Sequence, residues 1–184
     1  MKVWLVLRSL LFYVGYSLSM IFQSTSATII GLFSRQAAYA FCLAWCRFGV
    51  WWARVCCGIR FDVTGIENIP PGACVVLAKH ESAWETLFLQ SLFSPSTTVL
   101  KRELLSIPFF GWALALLKMI HINLNSKETA ALSVVGQGKK RLSEGKWILL
   151  FPEGTRTPTG SHKPYSKGGA RLASATEALV IPIA

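Results

Sequence analysis

Two textures meet near residue 60. From Val3 to Phe22 the run VWLVLRSLLFYVGYSLSMIF is apolar at nearly every position, with Arg8 as its one charge, and matches the ~20 residues needed to cross a hydrocarbon core. The polar cluster QSTS at 23–26 predicts a break. ATIIGLF and then Ala37 to Cys57 predict a second long apolar helix, which carries Arg47, Arg54, Trp45, Trp51 and Trp52. Arginine and tryptophan together suit a helix lying in the membrane interface, or dipping in and returning. The alternatives are a core helix for the second segment, and a cleaved signal ending near TSA at 25–27 for the first.

From Arg60 onward short β-rich runs alternate with helical stretches. RFDVTG, ACVVLA at 73–78, TTVL at 97–100, MIHINL at 119–124, KWILLF at 146–151 and LVIPIA at the end read as strands. Ala83 to Phe93, Glu103 to Lys118, Ser126 to Ser143 and Gly168 to Ala178 read as helices, the third opened by Asn125 with Glu128 and stopped by Gly145. The alternation predicts an α/β fold, a mixed, largely parallel sheet flanked by helices, preceded by an N-terminal membrane-associated helical segment. The expected division is residues 1–58 as membrane-anchoring helices and 59–184 as the α/β domain. LVIPIA reads as a buried strand with no following turn, which predicts missing C-terminal sequence.

Composition sharpens the first texture. Hydrophobic residues make up 52% and charged residues 15%, against roughly 45–50% and ~25% in soluble domains, so part of the surface is expected to face something less polar than water. The 19 Lys and Arg outnumber 9 Asp and Glu, and no acid precedes Asp62. A cationic, tryptophan-rich leader suits anionic lipid headgroups. Nucleic acid fits poorly, because the basic residues are scattered through apolar helices and form no polar stripe. Five cysteines with no metal-ligand spacing read as buried hydrophobes in a reducing compartment, and no zinc site is expected.

Two segments could carry chemistry. In AKHESAWET, residues 78–86, His80 and Glu85 stand five apart, about 140° around an ideal helix, so they meet only if His80 precedes the helix. Ser82 with Glu85 is a capping-box spacing that starts a helix at Ser82 and leaves His80 in the turn. Two readings stay open: Glu85 caps a helix beside an incidental histidine, or Glu85 orients an imidazole that takes a proton from an attacking alcohol. No G-x-S-x-G elbow offers a serine nucleophile. In KWILLFPEGTRTPTG, residues 146–160, a strand breaks at Pro152 into Glu153, Gly154, Thr155 and Arg156. Glycine lets amides approach an anion, threonine adds a hydroxyl, and the guanidinium fork suits phosphate. A plain turn with a surface arginine is the alternative.

The two segments together resemble the glycerolipid acyltransferase family typified by 1-acyl-sn-glycerol-3-phosphate acyltransferase. His80 and Glu85 match its histidine and acid, with glutamate where aspartate is usual. FPEGTR from Phe151 to Arg156 matches its phosphate-binding block, Lys101, Glu103 and IPFFGWALALL its middle block, and VIPIA its fourth. The middle block usually ends in an arginine where this chain has Leu124. The resemblance covers roughly residues 50 to 184. It implies an enzyme of phospholipid biosynthesis that transfers an acyl chain from acyl-CoA or acyl carrier protein to the sn-2 hydroxyl of a lysophospholipid, with His80 as base and Glu85 as its partner. Lys101, Glu153, Gly154, Thr155 and Arg156 would hold the acceptor headgroup. No cofactor or metal is implied beyond the thioester co-substrate. The implied location is the bilayer, at the cytoplasmic face of a bacterial inner membrane. A different acceptor, such as a lyso-ornithine lipid, or a non-catalytic membrane-binding relative, are the other readings.

Overall fold

The structure, a computed structural model, describes residues 2–123 and 127–184. Leu124 and the Asn125 helix-start signal lie outside the described residues. The chain forms two compact units. One holds the N-terminal helices through Ile66 together with Leu105–Leu117, and the other holds Glu67–Leu104 with Lys118–Ala184. The grouping therefore passes residue 58 and takes a later segment with it.

In the first unit, α1 (Lys2–Phe33) and α2 (Arg35–Cys57) make an antiparallel hairpin joined by Ser34 alone. Ser34 has extended backbone angles, and its hydroxyl accepts from the Ala37 amide at 3.2 Å, as an N-cap should. Gly58 closes α2 in the left-handed region (φ 72°) and donates to the Arg54 carbonyl. The break expected at QSTS is absent. Thr25 and Thr28 return their hydroxyls to the Ile21 and Ser24 carbonyls, each at 2.8 Å, while Gln23 and Ser24 are buried, Gln23 donating to Cys42 Sγ. A polar cluster satisfied by its own helix and by a neighbouring one does not interrupt the helix.

Polar rungs run down the hairpin. Arg8 reaches the Cys56 carbonyl, Trp52 Nε1 the Phe12 carbonyl at 3.2 Å, and Trp45 Nε1 the Ser19 hydroxyl at 3.1 Å. Small residues sit at the crossing, with Ala27 and Ala38 fully buried, and a Cβ added at Gly15 would lie 2.7 Å from the Trp52 ring. The outer face is apolar and bare: Val3, Trp4, Leu10, Leu18, Phe22, Leu32 and Phe33 are all more than half exposed. Val3–Phe33 is long and apolar enough to cross a membrane.

The helix expected over Glu103 to Lys118 is split. A 3-10 turn spans Arg102–Ser106, and α4 (Phe110–Leu116) follows Pro108 and a Phe109 at φ 64°. Proline cannot continue the helical hydrogen-bond ladder, which accounts for the interruption. α4 packs on α1, with Leu116 over Gly31. RFDVTG is irregular rather than a strand.

The second unit is a five-stranded sheet of β1 (Val75–Ala78), β2 (Ser96–Lys101), β3 (Ile120–Ile122), β4 (Trp147–Leu150) and β5 (Val180–Ile183), in the order β3-β2-β4-β1-β5. Every pairing among the described residues is parallel. Helices α3 (Trp84–Leu92), α5 (Lys127–Ser143) and α6 (Gly168–Thr176) cover it. Alternate residues sort to its two faces. Val75, Ile148 and Leu150 pack with Val134 of α5 and Leu172 of α6, while Val76, Ala78 and Leu149 pack with Leu89 of α3 and Phe93. β5 is half exposed rather than buried, because it lies at the sheet edge beside β1 alone. Pro182 is tolerated there since an edge strand has one side without a ladder partner.

Candidate active site

His80, Glu85, Lys101, Glu103 and Glu153 to Arg156 lie in the second unit, whereas IPFFGWALALL of the middle block, residues 107–117, belongs to the first. β1 and β4 are parallel neighbours in register, Leu77 opposite Leu150, so both chains leave the sheet at the same edge. Carboxyl ends of parallel strands are where such folds place their chemistry. β1 runs out into Lys79 and His80, and β4 into Phe151 and the turn at 152–156. β2 is also parallel and ends at the same edge with Lys101, which is exposed.

His80 sits in the turn ahead of α3, and its Nδ1 lies 2.7 Å from Glu85 Oε1. Glu85 also caps. Its Oε1 accepts from the Glu81 and Ser82 amides at 2.8 and 2.7 Å, its Oε2 from the Ser82 hydroxyl, and Ser82 Oγ in turn accepts from the Trp84 amide. One carboxylate thus both caps the start of α3 and bonds the imidazole. The capping-box bonds form around Ser82 although regular helix begins at Trp84.

Burial alone would push the Glu85 carboxyl up, but hydrogen bonds from His80, the Ser82 hydroxyl and backbone amides outweigh it and hold it at about 2. With Nδ1 turned to a carboxylate, the acceptor nitrogen of a neutral imidazole is Nε2, which has no hydrogen-bond partner among the described residues. The ring lies almost flat on Phe151, centroids 4.1 Å apart and planes 21° apart, which restricts its rotation.

The turn after β4 is closed by the Gly154 amide donating to the Phe151 carbonyl at 3.0 Å, with Pro152 at its second position. Gly154 has φ 69° and open space where a Cβ would stand, so backbone conformation and not crowding calls for glycine. Thr155 is half-buried, and Arg156 is exposed with no carboxylate against it among the described residues. Glu153 is placed differently from the expectation of headgroup contact. Its side chain is 1% exposed and its carboxylate is occupied internally: Oε1 accepts from Lys79 Nζ at 3.3 Å and the Lys163 amide at 3.2 Å, and Oε2 from Thr157 Oγ1 at 2.9 Å. A carboxylate with these donors builds the turn from within.

Sequence reasoning passed over Lys79 and Thr157. Thr157 is buried, and its amide donates to the His80 carbonyl at 2.9 Å, joining the two segments directly. Nothing local marks the link between the segments, because the bonds of Lys79 to Glu153 and of Thr157 to His80 span more than seventy positions.

A histidine held by a carboxylate beside a turn that carries an exposed arginine suits removal of a proton from an alcohol on an anionic substrate. The family model described as Acyltransferase matches residues 60–184, and the chain belongs to that family. It is 47% identical over 180 residues to the 1-acyl-sn-glycerol-3-phosphate acyltransferase of Pseudomonas aeruginosa, covering 97% of this chain and 70% of that protein. The enzyme of the same name from Borreliella burgdorferi is 34% identical, covering 68% of this chain and 51% of its own length. In fold, the chain is similar to the crystal structure of the 1-acyl-sn-glycerophosphate acyltransferase of Thermotoga maritima, with a TM-score of 0.75 and 23% identity over 98% of this chain and 73% of that one.

Proposed function

We propose that the chain transfers an acyl group from a thioester, acyl-CoA or acyl carrier protein, to the sn-2 hydroxyl of 1-acyl-sn-glycerol-3-phosphate, giving phosphatidic acid. The observation that carries the reading is the pairing of His80 with Glu85 at the end of β1, beside the Gly154–Arg156 turn at the end of β4. Nε2 takes the hydroxyl proton as the oxygen attacks the thioester carbonyl. Glu85 holds the tautomer and stabilises the imidazolium. When the tetrahedral intermediate collapses, the C–S bond breaks and the thiolate takes the proton back from His80. The acyl group passes directly between substrates, with no acyl-enzyme.

Thr155, through its hydroxyl, and Arg156 meet the acceptor phosphate, Gly154 leaving room for its close approach, with Lys101 as a second cation. Glu153 shapes that turn. The bare apolar helices of the first unit bring the enzyme to the bilayer that holds the acceptor. Free cysteines and thioester carriers both suit the cytoplasmic face of a bacterial inner membrane.

The test is His80→Ala in purified membranes supplied with lysophosphatidic acid and an acyl thioester, with phosphatidic acid measured by mass spectrometry. Product formation is expected to vanish while the protein stays in the membrane fraction. Turnover by the variant would remove His80 as the base.

A further inference from the structure

Sheet hydrogen bonds align β1 with β4 as far as Leu77 and Leu150, and the reacting segments begin just beyond. Two loops projecting from a sheet edge need some other device to hold their spacing. Lys79, the residue before His80, crosses that gap. Its Nζ donates to Glu153 Oε1 at 3.3 Å, Thr157 Oγ1 at 3.1 Å and the Ser161 carbonyl at 2.6 Å. Thr157 bonds Glu153 Oε2 with its hydroxyl and the His80 carbonyl with its amide, so the links close a ring: Lys79, Glu153, Thr157, His80. One end of the ion pair is deep, with the Glu153 side chain 1% exposed and that of Lys79 29%. Glu81 Oε1 adds a weaker contact to Lys79 at 3.9 Å.

Buried ion pairs contribute little to stability compared with apolar packing of the same volume, because desolvation offsets the attraction. Their directional bonds nevertheless set geometry. We propose that Lys79 is a positioning residue for the reaction proposed above, fixing the distance between the His80 imidazole and the Gly154–Arg156 turn through Glu153 and Thr157. An acceptor held by its phosphate on the turn then presents its hydroxyl to Nε2. Loosening the ring leaves both sites intact but out of step.

The experiment compares Lys79→Met, Glu153→Gln, the double variant and Arg156→Ala with wild type. kcat and acceptor KM are normalised to folded protein by circular dichroism and thermal midpoint. Misplacement of reacting groups by about 1 Å costs on the order of 100-fold, so Lys79→Met is expected to lose about 30- to 100-fold in kcat with acceptor KM within about threefold. Arg156→Ala should instead raise KM. The double variant is expected to be no worse than Lys79→Met alone, since both changes cut one link and together leave no unpaired buried charge. A multiplicative loss in the double variant, a loss confined to KM, or a kcat per folded molecule equal to wild type would each overturn the inference. This inference rests on the acyl-transfer reading, and the His80→Ala control separates the two. If that control is inactive and Lys79→Met is normal, only the role of Lys79 fails, whereas an active His80→Ala removes the reading beneath it.

Discussion

Replacing Glu85 by Gln isolates the charge that faces the imidazole. The amide oxygen can still accept from the Glu81 and Ser82 amides, and the amide nitrogen can donate to Ser82 Oγ, so the start of α3 should survive. What disappears is the anion opposite an imidazolium that forms only as the hydroxyl is deprotonated. With Nδ1 and Oε1 at 2.7 Å, the charge centres lie about 4 Å apart, worth about 4 kcal/mol at an effective dielectric of 20. The His80 and Glu85 side chains are 18% and 19% exposed, and solvent screening lowers this to about 2–3 kcal/mol. At 1.36 kcal/mol per decade the expected fall in kcat is about 30- to 150-fold. The assay is thiol release from an acyl thioester at saturating donor and acceptor, with thermal midpoints recorded alongside. Glu85→Asp, which keeps the charge, should stay within about tenfold of wild type. If Gln loses less than about threefold while folded, or if Asp and Gln fall equally, the imidazolium does not form against this carboxylate and the argument fails.

Three further expectations follow from the geometry. Arg156→Ala removes a charge-assisted bond of about 1.5–3 kcal/mol and should raise acceptor KM at least tenfold, with donor KM unchanged; unaltered acceptor KM would place the phosphate elsewhere. Glu85 titrates at about 2 in the fold against an ordinary 4.5, so between those values the unfolded chain binds more protons. Stability conferred by Glu85 is therefore complete above about pH 4.5 and is lost as pH falls toward 2. Thermal midpoints over that window should drop more steeply in wild type than in Glu85→Gln, and parallel curves would contradict the shift. Gly15→Leu should drive a side chain into the Trp52 ring that Phe12 pins in place. The expected cost is about 1–3 kcal/mol to the hairpin, read as faster proteolysis between α1 and α2 in detergent, and wild-type resistance would show that the helices can part without cost.

The sheet was readable because its strands are short apolar runs bounded by turn residues, and ACVVLA, TTVL, MIHINL, KWILLF and LVIPIA all contain one. RFDVTG has the same propensity, but among the described residues it forms no strand of the sheet, and strand propensity stabilises little without a ladder. QSTS misled for the converse reason: hydroxyl groups that favour breaks in water can bond back onto their own helix, and Gln23 also finds Cys42. Pro108 carries the interruption before α4, which the reading of one helix over Glu103 to Lys118 passed over. At the site, AKHESAWET fits a helix cap or a histidine–carboxylate pair equally, and only three-dimensional placement reveals one carboxylate bonded to both Ser82 and His80. The partnership of Lys79 with Glu153 has no local signature, since a lysine after a strand normally extends into solvent and its acceptor is 74 residues away.

The parallel pairing of β1 with β4 also orders events during synthesis. α3, β2, β3 and α5 all lie between those strands in the chain, so the His80 imidazole meets the Gly154–Arg156 turn only after all of them have been synthesised. The α1–α2 hairpin, made from the first residues and closed across a single serine, is available well before then, at a translation rate of about 5–20 residues per second. On the proposed function, the apolar hairpin is therefore complete before the chain has the turn that would hold an anionic headgroup, and the site would mature where its substrate already is.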